Sequence, residues 1–379
     1  MTDAPFSLDE PVRVLHILGG LGAGGIETFL MSIYREIDRS KIQFDFLVYP
    51  GPKYFYEEEV QCLGGRVFRL QQNRKHPLRT YRAIKQFLSE HRYQNVHCHY
   101  GSLDNMMPLI TAKACGIEKR IVHAHCTRFK VQNVRDFADI TLHLLNRVTA
   151  RRFATDAFAC SAEAAKWFGF DGWEAWKYVP NGIDVTRFTF DGQKRSTARK
   201  SLGVSNADVL IGNTGRFSPQ KNQLFLLDAF AMLHERIRNT KLVLIGSGPL
   251  EEQIRQKIES LELQSDVFIL SNRRDTDSLY CAMDCFVFPS IYEGLGIALV
   301  EAETSGLPCV VSDAVPEEAI FSENAVVVPL SDSPEQWAQR IEWQLRKGRL
   351  EGAEDRARAA GFDMRSTAVW LQEYYLSDK

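Results

Sequence analysis

The stretch Asp284-Cys285-Phe286-Val287-Phe288-Pro289-Ser290-Ile291-Tyr292-Glu293-Gly294-Leu295-Gly296-Ile297-Ala298-Leu299-Val300-Glu301 decides how the chain is to be read. Its opening is a short apolar run closed by proline, the pattern of a strand covered on both faces. A turn follows, and the spacing predicts that Gly294 and Gly296 open a helix carrying both glutamates. Eight residues turn a helix through about 800°, so Glu293 and Glu301 are expected within roughly 80° of each other on one face. Glu293 would then lie at the mouth of a site and Glu301 deeper in. The bare amides of a first helical turn suit a phosphate. Two solvated acids on an amphipathic helix would show the same spacing, so the neighbouring motifs carry the weight.

Working outward, strand patterns alternate with helical ones in both directions. In the first half strands are expected at 12–18, 44–49, 67–70, 95–99, 120–125 and 157–160, with helices such as 26–35 and 78–91 between them. In the second half they are expected at 209–213, 241–246, 266–270, 285–289, 308–313 and 325–329. Such alternation implies an α/β protein with parallel sheets. Val179-Pro180-Asn181-Gly182-Ile183-Asp184 punctuates the series like a hinge. Two doubly wound, Rossmann-like domains are therefore expected, over 1–180 and 181–361, facing across a cleft at the carboxyl ends of their strands. The closing segment, 362–379, carries Trp370, Leu371 and Tyr374 on a helical pattern expected to pack back on the first domain.

With 379 residues, 45% of them hydrophobic, and a net charge of −2, the chain exceeds what one core serves and reads as soluble and globular. The polar start, Met1 to Pro11, and the lack of a run of about 20 apolar residues point to the cytoplasm. Eight cysteines without a CxxC pair read as reduced thiols. From Arg66 to Arg92, eight basic residues (Arg66, Arg69, Arg74, Lys75, Arg79, Arg82, Lys85, Arg92) face one acid, Glu90. A solvated helix face would look like this. So would a peripheral contact with the anionic inner face of a membrane, or with a phosphate-bearing acceptor. Without interleaved stacking aromatics beyond Tyr81 and Phe87, nucleic acid does not fit.

Gly215-Arg216-Phe217-Ser218-Pro219-Gln220-Lys221-Asn222 follows the first strand of the second half, where Arg216 and Lys221 can reach one anion and offset charge developing on a leaving group. Gly246-Ser247-Gly248-Pro249 and Ser271-Asn272-Arg273-Arg274 end the next two strands and would frame a nucleotide. In the first half, Gly20, Gly22 and Gly25 make a GxGxxG, but Asp45 falls at the start of its strand instead of the end, which argues against a nicotinamide site.

In order and spacing, Arg216, Lys221, Glu293 and Glu301 resemble the glycosyltransferases of family 4, which have the GT-B fold and use nucleotide-sugar donors. The resemblance spans nearly the whole chain, and His123-Ala124-His125 and Pro316-Glu317-Glu318-Ala319 look most like bacterial capsule and exopolysaccharide transferases. It implies that Arg216 and Lys221 hold the donor diphosphate, Glu301 the ribose hydroxyls and Glu293 those of the sugar ring. Amides of Gly294, Leu295 and Gly296 would meet sugar or phosphate, with Gly215 and Arg273 also at the donor. The loop of Gly22, Gly24 and Gly25 would approach donor phosphates and acceptor, and His125 would bond a sugar hydroxyl.

Histidines 97, 99, 123 and 125, with Cys98 and Cys126 nearby, raise a zinc site, against which stand core and hydrogen-bonding roles. Asp275-Thr276-Asp277 fits a metal-binding DxD, but an aspartate capping the helix that follows explains it as well. The expectation is a retaining, metal-independent and cofactor-free hexosyl transfer from a nucleotide sugar, of which UDP-sugars are the commonest, to a glycan or lipid-linked hydroxyl. Two alternatives are a sugar-nucleotide epimerase of the same fold and a non-catalytic nucleotide-sugar-binding protein.

Overall fold

The structure, a computed structural model, describes residues 10–22, 24–51, 53–71, 76–127, 134–174, 176–271 and 273–377. It divides into two compact units, the first made of Met1–Gly182 with Met364–Lys379 and the second of Ile183–Asp363.

In the first unit seven strands form one parallel sheet: β1 (Val12–Leu18), β2 (Ile42–Val48), β3 (Arg66–Arg69), β4 (Asn95–Tyr100), β5 (Lys119–Ala124), β6 (Asp156–Ala159) and β7 (Trp176–Tyr178), in the spatial order β3-β2-β1-β4-β5-β6-β7. The sequence pattern missed β7, whose three residues, Trp-Lys-Tyr, are too few and too polar to stand out at an edge. The central strands β4 and β5 are buried along nearly their whole length, their histidines included. On one face the closing helix, Met364–Leu376, packs against β1 and the helix Gly25–Glu36. Leu371 and Tyr375 are its deepest large side chains, while Trp370 and Tyr374 lie against Phe158.

Asp45 is the buried charge of this sheet. It sits in the middle of β2, fully enclosed, and accepts from Arg13 Nε at 2.7 Å, Arg13 Nη2 at 2.6 Å, Tyr93 Oη at 2.9 Å and the Arg66 amide at 3.0 Å. Four donors satisfy the carboxylate from within, so Asp45 ties β1, β2 and β3 together and has no place at a dinucleotide ribose.

The second unit repeats the plan with six parallel strands: β8 (Val209–Thr214), β9 (Thr240–Ile245), β10 (Val267–Leu270), β11 (Cys285–Phe288), β12 (Cys309–Ser312) and β13 (Ala325–Val328), ordered β10-β9-β8-β11-β12-β13. The order reverses at β8 and β11. Connections on either side of such a switch point diverge to opposite faces, leaving a crevice at the carboxyl ends.

Truncation of Asp45 to Ala leaves Arg13 and Tyr93 without their shared acceptor and is expected to lower unfolding free energy in urea by about 3 kcal/mol. A loss below about 0.5 kcal/mol, the scale of an ordinary surface change, would show that the carboxylate does not hold these strands.

Candidate functional site

The loops leaving β8 and β11 meet at that switch point. After β8 the chain makes a tight turn, Pro219–Lys221, and Asn222 takes a left-handed conformation (φ 56°), one that Asn tolerates, before the helix Gln223–Arg236. The two loops are joined by the Ile291 amide on the Gln220 carbonyl at 2.8 Å and by Gln220 Nε2 on the Tyr292 carbonyl at 2.9 Å. Between them Lys221 Nζ donates to Glu293 Oε1 at 2.7 Å and lies 4.6 Å from the centroid of the Phe288 ring. Both partners are largely shielded, with side-chain exposures of 15% and 7%, so little water screens the pair.

Glu293 does not stand on the helix that carries Glu301. The helix begins only at Ile297, and Gly296 before it has φ +94°, outside the helical region, where a Cβ would also press on Phe288 at 3.3 Å. The expected common helix face is therefore wrong: Glu293, Gly294 and Leu295 belong to the loop that precedes the helix. Glu301 sits in the second turn of the helix Ile297–Thr304, where the Tyr280 hydroxyl donates to it at 2.9 Å. Burial pushes its carboxyl up to about 7, opposed by the Tyr280 hydrogen bond and the positive charges of Arg187 and Lys221. Tyr280 was not foreseen, because in its helix pattern it looks like any core aromatic. No side chain caps the first turn of the Glu301 helix.

Arg216 is exposed just beyond β8, and among the described residues no carboxylate pairs with it. Gly215 precedes it, and the Gly246 and Gly248 loop after β9 packs directly on this segment: a Cβ on Gly246 would fall 2.0 Å from the Gly215 carbonyl oxygen, and one on Gly248 2.3 Å from that of Phe217. These glycines let two backbones touch beneath Arg216.

Arg273 is exposed and forks onto Asp275, with Nε 2.7 Å from Oδ1. Asp275 occupies the N-cap position of the helix Thr276–Ala282, as expected, but its side chain makes no capping bond because Arg273 holds it. Asp277 pairs with Lys194 at 2.8 Å and with Arg187 at 3.3 Å. Both carboxylates of the DxD are thus neutralised by cations of the same unit.

In the first unit Gly22 and Gly24 lie between β1 and the helix Gly25–Glu36, which Gly25 opens. A Cβ on Gly22 or Gly25 would meet no atom within 4 Å, so the loop is open at those points, whereas one on Gly24 would strike the Glu27 carboxylate at 2.4 Å. His125, just past β5, is buried and belongs to a cluster with His97, His99, His123 and His16, the last of which the sequence did not single out.

A sequence profile described as "Glycosyl transferases group 1" matches residues 194–360, and one described as "Glycosyl transferase 4-like domain" matches 24–182. EpsF of Bacillus subtilis, whose own glycosyltransferase activity is inferred, is 36% identical over 344 residues, spanning 89% of this chain and 88% of that protein. A GDP-mannose-dependent phosphatidylinositol monomannoside mannosyltransferase of Mycolicibacterium smegmatis is 26% identical across 82% of each chain. Among solved structures, Anabaena HepE in complex with UDP and glucose superposes with a TM-score of 0.68 at 20% identity, covering 97% of this chain and 96% of that one.

The raised carboxyl of Glu301 has a consequence for stability. The folded chain holds this proton more tightly than the unfolded chain, so the glutamate costs nothing below the ordinary carboxyl range. It becomes destabilising as pH rises toward about 7 and remains so above it. Glu301→Gln should therefore melt higher than the unsubstituted protein at pH 8, with the gap closing toward pH 5. Melting curves whose difference does not change with pH would contradict this.

Proposed function

The chain belongs to the GT-B glycosyltransferases of family 4, and on that premise we propose a retaining transfer of a sugar from UDP-sugar to a hydroxyl of a glycan or lipid-linked acceptor in bacterial surface polysaccharide synthesis. The observation that carries the reading is the shielded Lys221–Glu293 pair at the switch point, flanked by exposed Arg216 and by Glu301. In this reading a donor diphosphate draws Lys221 and Arg216, releasing Glu293 to accept from hydroxyls of the sugar ring, while Glu301 accepts from the ribose. The amides of Gly294, Leu295 and Gly296 and the open Gly22 to Gly25 loop add backbone contacts.

The reaction breaks the bond from the anomeric carbon to the diphosphate oxygen and forms one to the acceptor oxygen. Neither glutamate is a ready covalent nucleophile, since Glu301 is held by Tyr280 and Glu293, once Lys221 turns to the diphosphate, is engaged by hydroxyls of the sugar ring. Front-face attack follows, with the acceptor proton passing to the departing phosphate. The guanidinium of Arg216 and the ammonium of Lys221 stabilise the charge as it develops, the part a divalent cation plays elsewhere. The occupied carboxylates of Asp275 and Asp277 support a metal-independent reaction.

Two features favour a phosphate-bearing, membrane-borne acceptor. A pocket of about 420 Å³ between β3 and the helix Pro77–Glu90 is lined by Arg69, Arg79 and Arg82, and a full-length relative acts on a phosphatidylinositol mannoside. Arg79, Arg82 and Lys85 are exposed, as an anionic bilayer surface requires. Arg74 and Lys75 of the same basic run lie outside the described residues. Among those residues no helix is long and apolar enough to cross a membrane, and we place the protein at the inner face by peripheral contact.

Sugar transfer measured in excess EDTA should proceed at full rate and give a product with the donor's anomeric configuration. Arg216→Ala and Lys221→Ala should each lower turnover by about 100-fold or more. Strict dependence on magnesium, an inverted product, or unchanged turnover in both variants would each remove the corresponding part of the proposal.

A further inference from the structure

A helix on the surface of a soluble protein turns its apolar stripe to the core and its polar side to water. The helix Val134–Thr149 of the first unit does the reverse. His143 is fully enclosed, its Nδ1 accepting from the Leu103 amide at 2.9 Å and its Nε2 donating to the Trp167 carbonyl at 3.1 Å. One turn on, Asn146 Nδ2 donates to the Leu103 carbonyl at 2.6 Å and Arg147 Nη2 to the Lys166 carbonyl at 2.9 Å. The His143 ring also stacks on Trp167, with centroids 4.5 Å apart. These contacts fix which way the helix faces, and they belong to its polar side.

The opposite side is apolar and bare. Phe137, Leu144, Leu145 and Val148 fall on it at helical spacing, with Phe137 and Leu145 each 62% exposed and Val148 82%. Thr141 lies among them, exposed, but its hydroxyl proton is spent on the Phe137 carbonyl at 2.8 Å. Single exposed leucines are ordinary, whereas a continuous apolar stripe along one helix marks a surface meant to be covered.

This helix lies on the same face of the seven-stranded sheet as the helices Pro77–Glu90, Met107–Ala114 and Ala162–Phe168. Ile84, Leu88, Leu109, Phe168 and Ala150, the residue just past its end, share one core, whereas Gly25–Glu36 and Met364–Leu376 pack into another. The face is basic. Arg79, Arg82 and Lys85 are exposed on the first of these helices and Lys113 on the second, and Arg151 and Arg152 are exposed just beyond Val148. Among the described side chains of the four helices the exposed acids are Glu90 and Glu163. A chain of net charge −2 has gathered cations here.

We propose that Val134–Thr149 is a lipid-docking helix: Phe137, Leu144, Leu145 and Val148 enter the acyl boundary of an anionic bilayer while Arg151, Arg152 and the cations of Pro77–Glu90 meet headgroup phosphates. The inference rests on the peripheral membrane placement given under the proposed function and names the element that inserts. A second copy of the chain suits the stripe less well. A stable interface takes about 800 Å² from each partner, more than four side chains of one helix present, and a two-fold contact would set the arginines of one copy against those of the other. A lipid surface needs no matching shape and supplies the opposite charge.

Flotation of the full chain with phosphatidylcholine vesicles containing phosphatidylglycerol measures the partition without donor or acceptor. Leu145→Ser combined with Val148→Ser, which leaves the charge alone, should lower partition about tenfold or more. Arg151→Gln combined with Arg152→Gln should weaken it at low salt and matter little in about 1 M salt, where charges are screened beyond about 3 Å. Both pairs change exposed positions, so melting temperatures and their shift with UDP should match those of the unsubstituted chain. No partition of the unsubstituted chain, undiminished partition of the serine variant, or a concentration-dependent dimer that the serines dissolve would each overturn the inference. Vesicle binding as expected with no melting shift from any nucleotide would instead count against the glycosyl-transfer reading alone.

Discussion

Both sheets are wholly parallel and covered on both faces, and this constraint governs where polar chemistry can go. A strand buried on two sides offers no water to a polar side chain, so any polar group within it must be satisfied by its neighbours. Asp45 meets the requirement with four donors from Arg13, Tyr93 and Arg66, and the histidines of β1, β4 and β5 largely meet it by bonding to one another. Groups meant for a ligand are left the carboxyl ends of the strands. Arg216, Lys221 and Glu293 all lie there, past β8 and β11.

At those ends the sequence is spent on backbone approach more than on side-chain bulk. Gly246 and Gly248 let the β9 loop rest on the carbonyls of Gly215 and Phe217, and Gly296 turns the chain into the Glu301 helix through a conformation that side chains resist. The outcome is a small set of charged groups on short, mutually bonded loops. Lys221 and Glu293 neutralise each other, which lowers the cost of holding two charges away from water.

Much of this was legible beforehand. Twelve of the strand positions followed from the alternation of strand and helix patterns, and the ordered set Arg216, Lys221, Glu293 and Glu301 pointed to the family. The failures have physical causes. Helical periodicity placed Glu293 and Glu301 on one face because spacing says nothing of a glycine at φ +94° that delays the helix to Ile297. His16 sits alone among apolar neighbours in β1, and its role exists only through His99 on the adjacent strand. Tyr280 was invisible for the same reason, since its role is defined by Glu301 on another helix. Asp275 kept its place at the helix start but gave its side chain to Arg273, a competition between two local partners that pattern alone does not rank.

The central claim is a nucleotide-sugar site in the second unit, with Glu301 on the ribose. Thermal unfolding of the whole chain in the presence of UDP, GDP, ADP and their sugar conjugates, without added metal, tests it most directly, because a ligand at about one hundred times its dissociation constant stabilises by about 2.7 kcal/mol. A rise in melting temperature selective for the uridine compounds and lost in Glu301→Ala is the predicted result. No shift with any nucleotide, or a shift that survives Glu301→Ala undiminished, would contradict the account.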